Sequence, residues 1–125
     1  MIRIAICDDE LDVCVFLKNK ILEVIKNENV KSEIQTYQNG ERLLESHENE
    51  CFDIIFLDLE MPIMNGFEIA KKLRSNDSHA ILIFITNKND LVYEAFQYDV
   101  VAFIRKNHIN NELKNAVKRA CQKAV

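Results

Sequence analysis

The sequence has little glycine and proline, with two glycines and one proline in 125 residues. This content is too low for a flexible linker, a low-complexity tail or a collagen-like repeat. No apolar run approaches the roughly 20 residues that span a bilayer. The amino terminus leads directly into strand-like sequence and lacks the pattern of a signal peptide. We therefore expect one soluble domain that lies in the cytoplasm and makes no membrane contact.

Cysteine and histidine spacings do not indicate a metal centre or a disulfide framework. The four cysteines are Cys7, Cys14, Cys51 and Cys121. None of them belongs to a C-x-x-C pair and each lies among apolar residues, so we expect buried, reduced thiols. The three histidines are scattered without metal-ligand spacing, which argues against zinc binding and histidine catalysis.

The chain has no excess of positive charge, because 20 acidic and 16 basic side chains give a formal net charge of -4. A domain that binds a phosphate backbone usually carries a basic patch. Four basic residues do lie near the carboxyl terminus: Lys114, Lys118, Arg119 and Lys123. We interpret them as the solvated face of an amphipathic helix, so this domain itself is not expected to bind nucleic acid.

Hydrophobic periodicity predicts five strands that alternate with five helices. The predicted strands are 3–7, 32–37, 52–57, 80–85 and 100–104, and the predicted helices are 11–27, 39–44, 65–73, 91–96 and 113–124. Asn65 followed by Glu68 is typical of a capping box at a helix start. Alternating strands and helices form parallel sheets with helices on both faces, so the predicted class is a doubly wound α/β domain.

Polar side chains follow four of the five predicted strands. Asp8 and Asp9 follow the first strand, Asp58 the third and Thr86 the fourth, and Lys106 lies near the end of the fifth. Parallel strands bring their carboxyl ends to one edge of a sheet, where open α/β sheets place their functional groups. We therefore expect these five side chains to form one site.

The chemistry of this set favours a metal-assisted phosphoryl transfer. Three carboxylates repel each other by about 4 kcal/mol per contact at ~4 Å and an effective dielectric near 20, so the cluster requires a cation. Oxygen ligands suit Mg²⁺, or Mn²⁺, better than zinc. A carboxylate can serve as the nucleophile, while a metal, a lysine and a hydroxyl stabilise the transferring oxygens. Taken singly, each residue would be an ordinary helix cap or solvated side chain.

Four segments resemble the receiver domain of bacterial two-component response regulators. They are Ile-Ala-Ile-Cys-Asp8-Asp9-Glu10, Ile-Ile-Phe-Leu-Asp58-Leu-Glu-Met-Pro62-Ile-Met-Asn-Gly66, Ile-Phe-Ile-Thr86 and Ala-Phe103-Ile-Arg-Lys106. The resemblance covers essentially the whole chain, residues 1–125. It implies a flavodoxin-like fold, in which a five-stranded parallel sheet of order 2-1-3-4-5 is flanked by five helices.

The resemblance also implies a phosphoacceptor and a metal site. Asp58 would accept a phosphoryl group from a sensor histidine kinase. Asp9 and Asp58 would bind Mg²⁺ directly, together with the backbone carbonyl of Glu60, and Asp8 would act through water. Such a domain catalyses its own phosphorylation and dephosphorylation and does not turn over an external substrate.

The resemblance further implies a switch. Thr86 and Lys106 would bind the acyl-phosphate oxygens, and Phe103 stands at the position of the family's switch aromatic. Movement of Thr86 and Phe103 would change the surface of the fourth helix, fifth strand and fifth helix, which controls an output. We expect that surface to support a homodimer, with Tyr93 or Phe96 exposed on it.

A finer similarity links the chain to receivers attached to LytTR-type DNA-binding domains. It rests on residues 86–96 and on the twenty-residue separation between Thr86 and Lys106. It implies that the chain is the regulatory half of a transcription regulator, whose output domain and DNA contacts lie outside residues 1–125. The alternative within the family is a stand-alone or phosphate-independent receiver that acts through protein contacts.

Three positions depart from the family pattern. Asn107 replaces the usual proline after Lys106, and because a cis bond without proline costs about 2.5–4 kcal/mol we expect a trans bond and a repositioned loop. Phe103 lacks the hydroxyl of the commoner tyrosine, so its movement depends on packing. Asp99 replaces a glycine, and Asp tolerates left-handed backbone geometry well.

Glu60 and Lys88 lie two residues after Asp58 and Thr86, respectively. One hypothesis is that they bridge across the phosphoryl group, hinder the attacking water and lengthen the phosphorylated lifetime. The alternative is that both are solvated side chains.

Two other classes of protein share parts of this pattern. A phosphohydrolase with an aspartyl-phosphate intermediate typically carries a second catalytic Asp where this chain has Glu60, and it needs a substrate domain for which the chain has no room. A flavodoxin-like cofactor carrier needs a phosphate-binding loop rich in Ser, Thr and Gly after the first strand, which is absent. The complete acidic set argues against a degenerate receiver.

Overall fold

The computed structural model describes residues 1–87 and 89–124, apart from the side chain of Asn89. The strands are β1 (Ile2–Cys7), β2 (Ser32–Tyr37), β3 (Ile54–Asp58), β4 (Ile81–Thr86) and β5 (Val100–Arg105). The helices are α1 (Leu11–Lys26), α2 (Gly40–Asn49), α3 (Gly66–Ser75), α4 (Val92–Ala95) and α5 (Ile109–Ala124). Short 3-10 turns cover Asn89–Leu91, Phe96–Tyr98 and Lys106–His108. Of the helices described, none is both long and apolar enough to cross a membrane.

The strands form one parallel sheet in the order β2-β1-β3-β4-β5, which confirms the predicted topology. The central strands are in register, with Ile4 opposite Ile54 and Asp58 opposite Ile85. Because every strand runs in the same direction, the residues that follow β1, β3, β4 and β5 meet at one edge of the sheet.

Two apolar layers cover the faces of the sheet. Alternate residues of β1 point to opposite layers, so Ile4 and Ile6 pack with α1 and α5, whereas Ala5 and Cys7 pack with α2 and α3. A strand covered on both faces must be apolar throughout, which explains the unbroken hydrophobic run of β3. Burial of each large aliphatic side chain stabilises the fold by roughly 1.5–3 kcal/mol.

The helix that follows the third strand is fixed at its start by a capping box. The backbone N–H of Glu68 donates to Asn65 Oδ1 at 3.0 Å, and the N–H of Asn65 donates to Glu68 Oε1 at 3.2 Å. Both bonds satisfy donors that the helix leaves unpaired. The structure thus confirms the predicted start of α3.

Three helix predictions differ from the structure. Helix α5 begins at Ile109, four residues before the predicted start at residue 113. Helix α2 continues to Asn49, beyond the predicted end at residue 44. The predicted end came too early because the polar His47, and not an apolar residue, occupies the next buried position on the inner face of the helix. The N–H of Phe52 donates to His47 Nδ1 at 3.0 Å, so this buried ring is satisfied by the backbone. Helix α4 spans only Val92–Ala95, since the predicted helix 91–96 is replaced at both ends by 3-10 turns.

Three of the four cysteines are buried, as expected, and all four are free thiols. Burial is the main cause that raises the pKa of Cys7 to about 12, and it also raises the pKa of Cys14 and of Cys121. The prediction was wrong for Cys51, which is exposed. This residue lies in the connection between α2 and β3, outside both apolar layers.

Arg74 joins the start of β4 to the segment before β5. Its guanidinium donates to the carbonyl oxygens of Ser78, Ala80, Tyr98 and Asp99 at 2.8–3.1 Å. Asp99 adopts the expected left-handed conformation, with φ of 53°. Nothing in the sequence pattern distinguished Arg74 from the other basic residues of helix α3, because its partners are backbone atoms of a distant segment.

We expect Gly66→Ala to destabilise the domain by about 1–3 kcal/mol, the usual cost of overpacking. A Cβ at residue 66 would lie 2.5 Å from the carbonyl oxygen of Asp58, which is backbone and cannot rotate away. Gly40→Ala is the matched control, because the atoms nearest to its Cβ, at 2.8–2.9 Å, belong to the side chains of Ile69 and Met64, which can move. Urea unfolding should give the larger loss for Gly66→Ala, and equal losses would contradict this account.

Candidate functional site

The carboxyl edge of the sheet brings together the five side chains that the sequence predicted there. Asp58 is the last residue of β3 and Thr86 the last of β4, while Asp8 and Asp9 follow β1 and Lys106 follows β5. Asp8, Asp58 and Thr86 are buried, and Asp9 and Lys106 are half-buried. The strand order places β1, β3 and β4 side by side, so the convergence follows directly from the topology.

Three carboxylates form the centre of the site. Asp8, Asp9 and Asp58 each offer one oxygen, and these oxygens lie within 4.8 Å of one another. At that separation three negative charges repel by several kcal/mol if a low dielectric surrounds them. The cluster therefore needs positive charge close by, or it must take up protons.

Lys106 supplies part of that charge. Its Nζ donates to Asp58 Oδ2 at 3.2 Å and lies 3.1 Å from Asp8 Oδ2. Burial by itself lowers the pKa of Lys106, but the carboxylates of Asp58 and Asp8 outweigh burial and raise the pKa. One ammonium group thus contacts two carboxylates and leaves the cluster with net negative charge.

The pKa of Asp58 reflects both its burial and its charged neighbours. Burial, helped by the neighbouring Asp8, raises the pKa of Asp58 from 3.8 to about 6. The N–H of Glu60 donates to Asp58 Oδ1 at 3.1 Å, and this bond and Lys106 oppose the rise in pKa. Among the described residues, Lys106 and the N–H of Glu60 therefore do not fully offset the effect of burial and of Asp8 on the Asp58 carboxylate.

One buried carboxylate oxygen of the cluster lacks a hydrogen-bond donor among the described residues. Within the described residues, Asp8 Oδ2 accepts no hydrogen bond, although it forms an ion pair with Lys106 Nζ at 3.1 Å. Asp8 Oδ1, in contrast, accepts from the N–H of Glu10 at 2.9 Å. Carboxylate oxygens in this arrangement fit a small hard divalent cation such as Mg²⁺ or Mn²⁺.

Thr86 and Glu60 contact each other beside the cluster. The hydroxyl of Thr86 donates to Glu60 Oε1 at 2.9 Å. The backbone N–H of the same Glu60 donates to Asp58, so this residue connects the ends of β3 and β4. The sequence predicted Thr86 and Glu60 as site residues but did not predict this bond.

Two supporting residues were not recognised as such from the sequence. Cys14 Sγ donates to the carbonyl oxygen of Asp8 at 3.3 Å and thereby fixes the start of the acidic loop. Gly66 allows α3 to begin directly against the carbonyl of Asp58. Cys14 fitted the apolar stripe of α1, and Gly66 stood beside a recognisable cap, so neither residue carried a separate signal.

The predicted switch aromatic lies on the neighbouring strand. Phe103 pairs with Phe84 across β4 and β5, is half-buried and packs against the layer that contains α2 and α3. On the adjacent segment Tyr93 is 83% exposed and Phe96 is 68% exposed. The expected exposure of an aromatic residue on this surface is therefore confirmed.

The departure at Asn107 does not displace the lysine from the site. No cis peptide bond occurs among the described residues, so the bond after Lys106 is trans as expected. Lys106 still reaches Asp8 and Asp58 from the first position of a 3-10 turn. The predicted partner of Glu60 at position 88 lies outside the described residues.

A groove of about 1080 Å³ lies at the opposite edge of the sheet. It is lined by the ends of α2 and α3 and by the segments that precede β3 and β4, among them His47, Phe52 and Ser78. His47 Nε2 lies 3.0 Å from Ser78 Oγ, and because Nδ1 accepts from Phe52 the Nε2 atom carries the proton. Burial and the nearby Arg3 lower the pKa of His47, so this histidine is a neutral structural residue.

Comparison with known proteins gives a consistent result for the whole chain. The family model described as "Response regulator receiver domain" matches residues 4–118. Among curated proteins, the chain is similar to the sensory transduction protein LytT of Bacillus subtilis, with 25% identity over 95% of this chain and 48% of LytT. It is also similar to the response regulator ArlR of Staphylococcus aureus, with 35% identity over 82% of this chain and 41% of ArlR.

A solved structure has a closely similar fold. The response regulator TrrA of Thermotoga maritima, in complex with Mg²⁺ and beryllofluoride, aligns with a TM-score of 0.81 and 30% identity over 96% of this chain and 99% of TrrA. The chain spans about half the length of the curated relatives it matches.

We expect Asp58→Asn to stabilise the metal-free domain at pH 7.5 by an amount on the order of 1 kcal/mol. The pKa of Asp58 is raised in the folded state, so ionisation penalises folding above about pH 6 and the penalty is lost as the pH falls below 4. The gain should therefore be present at pH 7.5 and vanish at pH 4. Urea unfolding in a chelator measures it, with the exposed carboxyl variant Asp77→Asn as control. An equal gain at both pH values would contradict the charge argument.

Proposed function

The chain belongs to the response regulator receiver domain family of two-component systems, and on this premise we propose that Asp58 accepts a phosphoryl group from a sensor histidine kinase. The observation that carries the proposal is the Asp58 carboxylate, which is buried at the end of β3, lies among two further carboxylates and contacts Lys106. A domain of this family is a signalling switch and not a turnover enzyme with an external substrate.

The proposed reaction transfers one phosphoryl group between two side chains. An oxygen of the ionised Asp58 carboxylate attacks phosphorus, the P–N bond to the kinase histidine breaks, and the electron pair of that bond remains on the histidine nitrogen. The product is an acyl phosphate on Asp58. The raised pKa of Asp58 makes its carboxylate more basic than an ordinary aspartate, and most of it is ionised above about pH 6.

Asp9 and Asp58, with the backbone carbonyl of Glu60, would hold Mg²⁺ or Mn²⁺, and Asp8 would act through water. When bound, the ion supplies positive charge to the phosphoryl oxygens. The support for this assignment is the cluster of three carboxylates and the lack of a hydrogen-bond donor to Asp8 Oδ2 among the described residues.

Thr86 and Lys106 would bind the oxygens of the acyl phosphate. Lys106 Nζ already contacts Asp58 Oδ2, and Thr86 ends the neighbouring strand. Movement of Thr86 towards the phosphoryl group would leave room for Phe103 to turn inward and would alter the surface of α4, β5 and α5. That surface, with Tyr93 and Phe96 exposed, is our candidate for a homodimer contact and for control of the output.

The output itself would lie outside residues 1–125. Two of the relatives that span about twice the matched length carry the name LytT, which supports a transcription regulator of the LytTR type. DNA would then be bound only through the second half of the protein, and the receiver would meet its kinase in the cytoplasm. Glu60 and Lys88 remain candidates for modulating the lifetime of the phosphorylated state, which autodephosphorylation of Glu60→Ala and Lys88→Ala would test.

Incubation with acetyl phosphate and Mg²⁺ should increase the intact mass of the wild type by one phosphoryl group. Asp58→Asn should show no gain, because the amide cannot form an acyl phosphate, and a chelator should abolish the gain in the wild type. Thr86→Ala and Lys106→Met test the phosphoryl contacts and should lower the phosphorylated fraction. Modification of Asp58→Asn to the same extent as the wild type would exclude Asp58 as the acceptor.

Mg²⁺ should raise the midpoint of thermal unfolding of the wild type at pH 7.5, since a ligand that binds only the folded state stabilises it by mass action. Asp9→Ala should lose most of this gain, because it removes a ligand and one of three repelling charges. Glu48→Ala, at the opposite edge of the sheet, changes the net charge equally and should keep the full gain. An undiminished gain in Asp9→Ala would contradict the assigned metal site.

A further inference from the structure

Glu60 is bonded at both ends to residues of the proposed phosphorylation site. Its backbone N–H donates to Asp58 Oδ1 at 3.1 Å, and its side chain accepts a hydrogen bond from the Thr86 hydroxyl at 2.9 Å. The preceding N–H, that of Leu59, donates to the carbonyl oxygen of Ile85 at 3.2 Å. The Thr86–Glu60 bond thus continues the β3–β4 pairing past its last backbone contact.

The Thr86 hydroxyl has only one proton to donate. In the proposed phosphorylated state that proton would be donated to an oxygen on Asp58, and in the present structure it is donated to Glu60. The Glu60 carboxylate and the phosphoryl group therefore compete for the same donor. A hydrogen bond to a charged acceptor is stronger than one between neutral groups, so the Glu60 carboxylate stabilises the position of the Thr86 hydroxyl before Asp58 is phosphorylated.

We propose that the Glu60 side chain is a positioning residue that holds the Thr86 hydroxyl away from Asp58 in the unphosphorylated state and so opposes activation. This inference rests on the proposed function, because it takes Asp58 as the phosphoacceptor and Thr86 as its partner. It assigns to the Glu60 side chain a role distinct from that of its backbone carbonyl as a metal ligand.

The same side chain is well suited to release Thr86 when Asp58 is phosphorylated. Glu60 is exposed, so its carboxylate can turn into water without the cost of leaving a buried charge unpaired. An acyl phosphate carries about two negative charges where the Asp58 carboxylate carried one, so it repels a nearby carboxylate more strongly. Glu60 therefore interacts favourably in one state and unfavourably in the other, which is the differential contact that a two-state switch requires.

Release of Thr86 from Glu60 would also affect the neighbouring strand β5. Thr86 is paired with Arg105 across β4 and β5, and two residues earlier Phe84 is paired with Phe103. A shift of Thr86 towards Asp58 would therefore also act on β5, the strand that carries Phe103. The Thr86–Glu60 bond thus opposes both the phosphoryl contact and the change at β5.

Two substitutions separate the hydrogen bond from simple charge repulsion. Glu60→Gln removes the charge but retains an acceptor of nearly the same shape, whereas Glu60→Ala removes both. If Glu60 acts only through repulsion of the phosphoryl group, the two variants behave alike. If the hydrogen bond to Thr86 contributes, Glu60→Ala favours the activated state more than Glu60→Gln does.

The test titrates the whole chain with beryllofluoride, a phosphoryl mimic, in the presence of Mg²⁺. The Thr86 methyl signal in a ¹³C NMR spectrum reports the position of that side chain. We expect beryllofluoride to bind about tenfold more tightly to Glu60→Ala than to the wild type, which corresponds to about 1.4 kcal/mol, with Glu60→Gln intermediate. Without ligand, the Thr86 methyl signal of Glu60→Ala should move towards its beryllofluoride-bound position. Glu48→Ala should match the wild type.

A double-mutant comparison completes the test. In a Thr86→Val background, which lacks the hydroxyl, the difference between Glu60→Gln and Glu60→Ala should disappear, whereas in Thr86→Ser it should persist. Equal affinities of Glu60→Gln and Glu60→Ala, with wild-type binding intact, would overturn this inference alone. A folded wild type that binds no beryllofluoride would overturn the proposed function and this inference with it.

Discussion

Repulsion among the carboxylates of Asp8, Asp9 and Asp58, offset only in part by Lys106, is the constraint on which the site depends. Parallel strands bring their carboxyl ends, and with them these carboxylates, to one edge of the sheet. The two apolar layers stabilise the sheet from both faces and so offset the repulsion. Burial and the neighbouring Asp8 raise the pKa of Asp58, and among the described residues Asp8 Oδ2 accepts no hydrogen bond. A cation and a phosphoryl group are ligands whose chemistry matches this edge.

The residues around the cluster link a change of charge at Asp58 to the ends of β4 and β5. Glu60 and Thr86 connect the ends of β3 and β4 through a side-chain bond, and Thr86 is in register with Arg105 of β5. Phe103 is half-buried on that strand and borders a segment in which Tyr93 and Phe96 are exposed. A change in the hydrogen-bond partner of the Thr86 hydroxyl can therefore alter the surface of α4, β5 and α5, which is otherwise held by apolar packing.

Much of this organisation could be predicted from the sequence, because parallel pairing forces residues at strand ends to one edge. Asp58, Thr86 and Lys106 were found in this way, and the cap at Asn65 followed from a local rule. The partner of Thr86 could not be predicted, since it depends on the rotamer of Glu60. The exposure of Cys51 and the extension of α2 through His47 depend on which side chains fill the core, which periodicity alone does not determine.

A crystal structure of the whole chain with Mg²⁺ and beryllofluoride would test the central claim most directly. The account predicts beryllofluoride on a carboxylate oxygen of Asp58, the metal ion among Asp8, Asp9 and Asp58, and the Thr86 hydroxyl moved from Glu60 to the beryllofluoride group. Beryllofluoride bound elsewhere, or absent while Mg²⁺ occupies the cluster, would contradict the assignment of Asp58 as the phosphoacceptor.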